Sequence, residues 1–265
     1  MLENVQRKKS VRAQKTQDEP VQTNDIRLKY SIASLPSNGQ LGYPAEIEYR
    51  DILVRDEKEL ASSSEKTFQK TLNAVLKSLF KDPSFYDDLT IFDRDYLLLW
   101  VWANNYTTEK DIEATCPQCG HKNHYVIDLT KMDVKELEEG FTNPYPFELS
   151  SGEKVSLRLL TVHDEDVARK YCTVNKNEEE YNVMLALSID FGVVMPLADK
   201  IKRIENTLTG KDMAFLRGFH AHFKYGIETV TKQECSNCNE VSSYPIPFSA
   251  EMFLPTLQGH FRKTV

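Results

Sequence analysis

Apolar residues recur at helical spacing in the first half of the chain. Six of them share one face of a predicted helix: Phe68, Leu72, Val75, Leu76, Leu79 and Phe80. Ser62 and Glu65 match the pattern of a capping box at its start, and Pro83 lies just beyond its end. A second helix is predicted to begin near Thr90. Because its segment from Tyr96 to Ala103 is apolar on all sides, we expect that helix to be buried.

The second half of the chain predicts four more helices. They run from Thr161 to Tyr171, from Glu178 to Phe191, from Pro196 to Gly210, and over residues 211–225. Pro196 suits the first position of a helix, and Gly210 is typical of a helix end.

Alternating apolar residues predict strands in the remaining segments. One or two strands are expected around Ile47, Tyr49, Ile52 and Val54, and another over Lys154–Leu160. The segment 131–160 is otherwise expected to be irregular.

Two Cys-x-x-Cys motifs, Cys116–Cys119 and Cys235–Cys238, are separated by 115 residues and are followed by similar sequences. When the motifs are aligned, alternate positions match in three pairs: Tyr125 with Tyr244, Ile127 with Ile246, and Leu129 with Phe248. This alternation predicts a strand after each motif, so that each motif forms the tip of a hairpin and offers two thiols.

Thiol pairs of this kind are typical of zinc sites. Zn²⁺ takes four ligands in a tetrahedron, with sulfur at about 2.3 Å, and the two tips together supply four. We therefore predict one structural Zn²⁺ bound by Cys116, Cys119, Cys235 and Cys238. A redox-active motif would need a helix beginning at the cysteines, where this sequence predicts a strand. As an alternative, His121 and His124 could complete a separate site with the first pair, which would leave the second pair unused.

The order of these features predicts an α+β protein with a split zinc ribbon, an inserted helical domain and an extended N-terminal arm. The predicted divisions are a polar arm (1–40), the N-terminal strands and helices (41–109) and the first hairpin (110–130). An inserted, mainly helical region (131–227), the second hairpin (228–250) and a C-terminal tail (251–265) follow. The first 17 residues hold five basic residues and one acidic residue. They are either a solvated tail or an arm that docks on an acidic partner.

Composition narrows the class of protein. A chain of 265 residues that is 40% hydrophobic can form a core, and its net charge of −7 is opposite to that of a protein that coats nucleic acid. No secretory signal is visible, and the longest apolar run, Tyr96–Ala103, is too short to cross a membrane. We expect a soluble protein of a reducing compartment, where paired cysteines favour metal over disulfides.

The sequence predicts no enzyme. His163 opens an acidic helix start, His220 and His222 point to different faces of a helix, and Cys172 has no nearby cysteine. A zinc ribbon that binds nucleic acid is the first alternative function, and an uncharacterised enzyme is the second. Against nucleic-acid binding, the hairpin tips lack the basic and aromatic residues that such binding uses.

Several segments follow one another in an order that resembles a known family. These segments are a turn-rich stretch (Leu35–Pro44), a helix (Leu89–Leu98), and the first Cys-x-x-Cys turn (Cys116–Gly120) with the end of its strand (Ile127–Leu129). A later strand (Val155–Thr161) and a later helix (Asp212–Phe219) follow. Over roughly residues 34–250 the chain resembles the baseplate hub-assembly proteins of T-even-type contractile-tailed bacteriophages.

The resemblance implies a small, non-catalytic structural or assembly component of a tail baseplate. Its partners would be other baseplate or hub proteins, with several copies in a larger assembly and with no membrane or nucleic acid. It would be made in the host cytoplasm and, if retained, would lie in the virion tail. The Zn²⁺ is predicted from the cysteines of this chain and not from the resemblance.

Overall fold

A computed structural model describes residues 28–246 of the chain. These residues form seven α-helices and eleven β-strands, so the predicted α+β class is confirmed. In chain order the elements are β1 (Tyr30–Ser34), β2 (Glu46–Arg50), α1 (Val54–Ser62), α2 (Glu65–Leu79), α3 (Ile91–Asn105), β3 (Glu109–Thr115), β4 (Lys122–Asp128), β5 (Val134–Lys135), β6 (Tyr145–Glu148), β7 (Lys154–Leu157), α4 (Val162–Val174), α5 (Glu180–Ser188), β8 (Ile189–Asp190), α6 (Leu197–Thr207), α7 (Gly210–His222), β9 (Gly226–Ile227), β10 (Val230–Glu234) and β11 (Val241–Pro245).

The strands form small antiparallel sheets. β1–β2, β3–β4, β5–β9 and β10–β11 are two-stranded, and β6–β7–β8 is three-stranded. A two-stranded hairpin is marginal by itself in water, so each pair depends on what it packs against.

Two large apolar cores lie on either side of the start of α3. The first is built by β1, β2 and α1–α3, and the second by the three-stranded sheet with α4–α7. The faces predicted from helical spacing are the buried ones: Leu72, Val75, Leu76 and Leu79 lie in the first core. A third and smaller cluster lies under the two thiol hairpins.

A buried carboxylate joins the two large cores. Asp93, in the first turn of α3, is fully buried and accepts hydrogen bonds from the hydroxyls of Tyr43, at 2.5 Å, and Tyr225, at 3.0 Å. Tyr43 belongs to the first core and Tyr225 to the second. The backbone N–H of Ser37 donates a third bond at 3.3 Å, and burial raises the pKa of Asp93 above its usual value. The carboxylate is therefore held by groups from two distant parts of the chain, residues 37–43 and Tyr225.

Backbone hydrogen bonds connect the starts of α3 and α4. Val162 donates to the carbonyl of Leu89 at 2.8 Å, and Ile91 donates to that of Leu160 at 3.1 Å. One turn further along α3, the buried Arg94 forms a two-pronged ion pair with Glu165 of α4. These contacts fix the helical region against the N-terminal core.

Several sequence predictions are confirmed in this frame. The helix over 68–80 is α2, the helix after Thr90 is α3, and the helix capped by Thr161 is α4, with the Thr161 side chain accepting from Asp164 N–H. Most of the Tyr96–Ala103 segment is buried, although Trp100 reaches the surface.

Other local predictions are wrong for identifiable reasons. The cap of α2 is formed by Ser64 and Thr67 instead of Ser62 and Glu65, because Ser62 ends a preceding helix, α1. Val54 begins that helix and is not in a strand. The helix α1 is mostly charged, so its apolar pattern is weak, and its start depends on the buried ion pair that its Asp56 makes with Arg50, at 2.6 Å.

The remaining differences lie in the second half. Gly210 begins α7 and does not end α6. The helix predicted over Glu178–Phe191 ends at Ser188, because Ile189 and Asp190 pair with β7 as an edge strand. The strands β5 and β6 fall in a segment that was expected to be irregular.

The last residues of the predicted N-terminal arm, which was expected to span residues 1–40, belong to the first core. Tyr30–Ser34 form β1, and Ala33 and Leu35 are buried in the first core. Residues 1–27 lie outside the described residues, as do 247–265, which include the matched Phe248 and the predicted tail. The other domain divisions stay predictions. Within residues 28–246, no helix combines the length and apolar character needed to cross a membrane.

Replacing Asp93 by alanine tests the junction between the cores. Asp93→Ala removes the shared acceptor of the Ser37 amide and of two buried tyrosine hydroxyls, which keep only their contacts with Thr90. We therefore expect a loss of about 3 kcal/mol in the free energy of unfolding. The exposed neighbour Asp88 provides the control, since Asp88→Ala should change the free energy of unfolding by less than about 0.5 kcal/mol. Urea titrations followed by tryptophan fluorescence measure both. Equal stability of the two variants would contradict the assigned role.

Candidate metal centre

The two Cys-x-x-Cys motifs form the tips of two hairpins, β3–β4 and β10–β11, that share one turn geometry. In the first, Gly120 N–H donates to the carbonyl of Cys116 at 3.0 Å, and Gly120 has a φ of 72°. In the second, Asn239 N–H donates to Cys235 at 2.9 Å, and its φ is 58°. Glycine and asparagine are the residues that tolerate this left-handed backbone. The same turn therefore presents both cysteines of each pair.

The structure brings the four predicted cysteines together. The sulfurs of Cys116 and Cys238 are 3.7 Å apart, as are those of Cys119 and Cys235, and all four sulfurs lie within 4.8 Å of one another. A tetrahedron with metal–sulfur bonds of about 2.3 Å has edges of about 3.8 Å. A disulfide would need about 2.05 Å. The spacing thus fits a four-sulfur metal site, and the described cysteines are free thiols.

Each hairpin contributes one inner and one outer cysteine. Cys116 and Cys235, the first of each pair, are buried, whereas Cys119 and Cys238 are exposed. Both close contacts between sulfurs join an inner cysteine of one hairpin to an outer cysteine of the other. All four sulfurs can therefore face one point between the tips, which leaves no position for a fifth ligand or a substrate in a tetrahedral site.

Asn123 connects the hairpins beside the sulfurs. It is buried on β4, and its side-chain oxygen accepts hydrogen bonds from the backbone N–H of Ser236 at 3.1 Å and from its hydroxyl at 2.9 Å. Its amide group lies 3.5 Å from the sulfur of Cys235, to which it can donate. Such outer contacts orient metal ligands and tune their charge. No repeat or motif in the sequence distinguished Asn123, because its counterpart position in the second hairpin carries a serine, Ser242.

The electrostatic surroundings favour thiolate at part of the cluster. Backbone N–H groups of Asn237 and Cys238 hydrogen-bond to the sulfur of Cys235 and, despite desolvation, hold the pKa of that thiol at about 6. The side-chain amide of Asn237 lowers the pKa of Cys119 below its usual value. For Cys238, a hydrogen bond from the backbone of Glu240 lowers the pKa, but desolvation and the three other thiols outweigh it and raise the pKa to about 12. Four adjacent thiols cannot all ionise without a cation between them.

The strands that follow the motifs meet behind the sulfurs, as the repeat predicted. Ile127 and its match Ile246 are buried together with Ile112 in the third apolar cluster. The rings of the matched Tyr125 and Tyr244 contact each other with centroids 5.5 Å apart. These contacts hold the two hairpins side by side, which positions their tips.

The other candidate residues stay outside this group. His124 is exposed and lies 3.4 Å from Asp111 on the neighbouring strand, so it does not complete a site with the first pair. His121, at the hairpin tip, is also absent from the group of four. Cys172 packs against the second core and does not belong to the group of four.

The chain matches a known protein family over most of its length. Residues 28–254 match the family described as T4 bacteriophage base plate protein. The chain belongs to this family. The match covers most of the chain and both hairpins, and it indicates a structural component of a phage base plate, as the resemblance implied. No curated protein and no solved structure matches the chain.

Removing one outer cysteine tests the site. In Cys119→Ser we expect zinc affinity to fall by more than about 100-fold. Loss of a residue that only hydrogen-bonds to a metal ligand already lowers affinity about 10- to 100-fold, and Cys119 would be a ligand itself. Cys172→Ser, which removes the remaining cysteine, should keep one Zn²⁺ per chain. Competition with a chelating dye, together with elemental analysis after dialysis, measures both variants. Equal zinc content and affinity would show that Cys119 is not a ligand.

Proposed function

We propose that this protein is a non-enzymatic component of a contractile phage tail base plate. It acts through contacts with other base plate or hub proteins, and a structural Zn²⁺ bound by Cys116, Cys119, Cys235 and Cys238 stabilises it. The observation that carries the proposal is the meeting of four sulfurs within 4.8 Å of one another, with two pairs at 3.7 Å, in a chain of this family.

The four-thiol set supports a structural rather than a catalytic metal. Catalytic zinc keeps one position open for water or substrate, whereas four protein thiolates close the coordination sphere. Among the described residues, the four cysteines form the one cluster of ligating side chains suited to a metal ion. No second centre in that part of the chain offers itself for metal-assisted chemistry.

The metal would act as a clamp across the fold. It would join β3–β4 to β10–β11, which are separated in the sequence by the whole helical region. The hairpins otherwise share one small apolar cluster and the hydrogen bonds between Asn123 and Ser236. Closing so long a loop is entropically unfavourable, and structural zinc in model peptides contributes on the order of 10–16 kcal/mol at neutral pH. The hairpins would then keep a fixed position relative to the helical region.

Exposed apolar residues support a role in protein contacts. Tyr30 and Ile32 are exposed on β1, and Leu28 is exposed just before it. Within residues 28–246, β1 pairs on one side only, with β2. Such an edge can pair with another chain. The N-terminal arm, with its excess of basic residues, continues from this strand and would extend the same interface. Nucleic-acid binding has less support, because the tips carry Lys122 against Glu240 and the chain is acidic.

Complementation of a phage that lacks this protein tests the proposal. Infected cells would be supplied with wild-type protein, Cys119→Ser or Cys172→Ser from a plasmid. We expect wild type and Cys172→Ser to restore base plates, counted by electron microscopy of sedimented lysates. Cys119→Ser should restore fewer than one tenth as many, since the hairpins lose their clamp.

Two results would contradict the proposal. Normal base plates in the absence of the protein would show that it is not a required component. If Cys119→Ser were metal-free by elemental analysis and still restored base plates fully, the function would not require the metal.

A further inference from the structure

Two backbone hydrogen bonds fix the bonding directions in the β1–β2 pair. Leu35, just after β1, donates its N–H to the carbonyl of Ala45, just before β2, at 2.7 Å. Glu48 of β2 turns its carbonyl to the side away from β1, where it accepts from Lys81 N–H at 2.9 Å. Along an antiparallel pair these directions alternate from one residue to the next. Every second residue of β1 is therefore bonded to β2, and the others face the outer edge.

Three residues of β1 direct their N–H and C=O groups to this outer edge. Counting back in steps of two from the first of those bonds assigns Ala33 and Ser31 to β2. The outward groups belong to Tyr30, Ile32 and Ser34. In the part of the chain that the structure describes, no other strand pairs with this side of β1. The donors and acceptors of these three residues therefore line an open edge.

The strand β1 lacks the features that usually keep a free edge from pairing. Its sequence, Tyr-Ser-Ile-Ala-Ser, contains no charge and no proline, and its register with β2 runs without a bulge. The side chain of Tyr30 is 41% exposed and that of Ile32 is 56% exposed. Natural edges are commonly blocked by lysine, proline, a bulge or a covering element. This edge therefore suits an extended strand with an apolar residue at its centre.

A second copy of β1 complements the edge in antiparallel orientation. With Ile32 opposite Ile32 of the other copy, Tyr30 would lie opposite Ser34 at both ends. The outward donors of each copy would then meet the outward acceptors of the other, residue for residue. The two isoleucine side chains would pack side by side on the exposed face, a cross-strand contact that stabilises sheets. Two-fold pairing of this kind is the commonest symmetry among homo-oligomers.

The charges around the edge favour a second copy over an unrelated strand. Lys81 pairs with Glu48, and its ammonium lies 5.8 Å from the centre of the Tyr30 ring. Glu46, opposite Ser34 at the other end of β1, is exposed and has no ion-pair partner within residues 28–246. Antiparallel pairing brings these two ends together. Lys81 of each copy would face Glu46 of the other across two strand spacings, about 10 Å, which two long side chains can bridge.

We propose that two copies of this protein pair through β1 in antiparallel orientation, with Ile32 at the two-fold axis, and form one four-stranded sheet. The inference rests on the proposed function in treating β1 as a protein contact, and it names a second copy as the partner. The four cysteines take no part in this surface.

Proline at position 32 tests the pairing in the full-length protein. Ile32→Pro removes the outward N–H at the two-fold axis and no bond to β2, and proline is accepted on the free side of an edge strand. We expect the dissociation constant of the dimer to rise about 25-fold, because two backbone hydrogen bonds that each contribute about 5-fold are lost. Val54→Pro is the matched control. Val54 is 65% exposed and begins α1, where proline is favoured, so its variant should dimerise like wild type. Sedimentation equilibrium measures all three proteins.

Two further measurements locate the contact. Hydrogen exchange of the wild-type protein, followed by mass spectrometry over residues 28–36, should slow as the concentration rises through the dissociation constant, because the outward amides become bonded. At low salt, Glu46→Lys should weaken the dimer about 5-fold, since repulsion replaces attraction at both ends. Glu205→Lys, an exposed change on α6, should leave it unchanged. Should Ile32→Pro fail to fold, the exchange of the wild-type protein still decides.

Several results would overturn the proposal. A dimer whose exchange over residues 28–36 does not depend on concentration would have its contact elsewhere. Protection of these residues in a monomer would mean that the chain itself covers the edge. A protein that stays monomeric at millimolar concentration, and gains this protection only with extract of infected cells, would pair with a strand of another protein. Equal dimerisation of Glu46→Lys and Glu205→Lys would contradict the register. These measurements use no phage assembly, so a monomer would leave the proposed function standing.

Discussion

Four thiols converge from two hairpins whose motifs the chain places 115 residues apart. Each hairpin is two-stranded and has little apolar surface of its own, so neither would hold its tip in place alone. Their small cluster around Ile127 and Ile246 sets them side by side, and the sulfurs then approach within 4.8 Å of one another. Thiolate repulsion opposes that approach, and a cation bound between the sulfurs would turn it into a stabilising contact.

The rest of the molecule positions the hairpins through a second convergence, at the start of α3. Asp93 is bound by tyrosines of both large cores, and the next residue, Arg94, pairs with Glu165 of α4. The short pair β5–β9 then leads from α3 and the second core to the base of the hairpins. The four thiols and the buried carboxylate thus converge at two separated points of the fold. The carboxylate connects the two large apolar cores, and the third apolar cluster lies under the thiol hairpins.

Much of the candidate site was predictable from the sequence, and the reason is physical. Spacing within a Cys-x-x-Cys turn is local chemistry, and the matched Tyr125 and Tyr244 record that the two turns fold alike. The role of Asn123 was not predictable, because it depends on a hydrogen bond with Ser236 that exists only after the hairpins meet. Helices with a clear apolar face, such as α2, followed their pattern. The charged helix α1 did not, since its Asp56 is stabilised by Arg50, six residues earlier, instead of by an apolar stripe. Gly210 likewise occupies a helix start that its residue type alone argues against.

The most direct measurement is X-ray absorption at the zinc edge on full-length protein purified without added chelator. The account predicts one Zn²⁺ per chain with a single shell of four sulfurs at about 2.3 Å and no nitrogen or oxygen ligand. A shell that mixes sulfur with nitrogen would contradict the four-thiolate site. Metal-free, folded protein with cysteines 116, 119, 235 and 238 paired as disulfides would contradict the clamp itself.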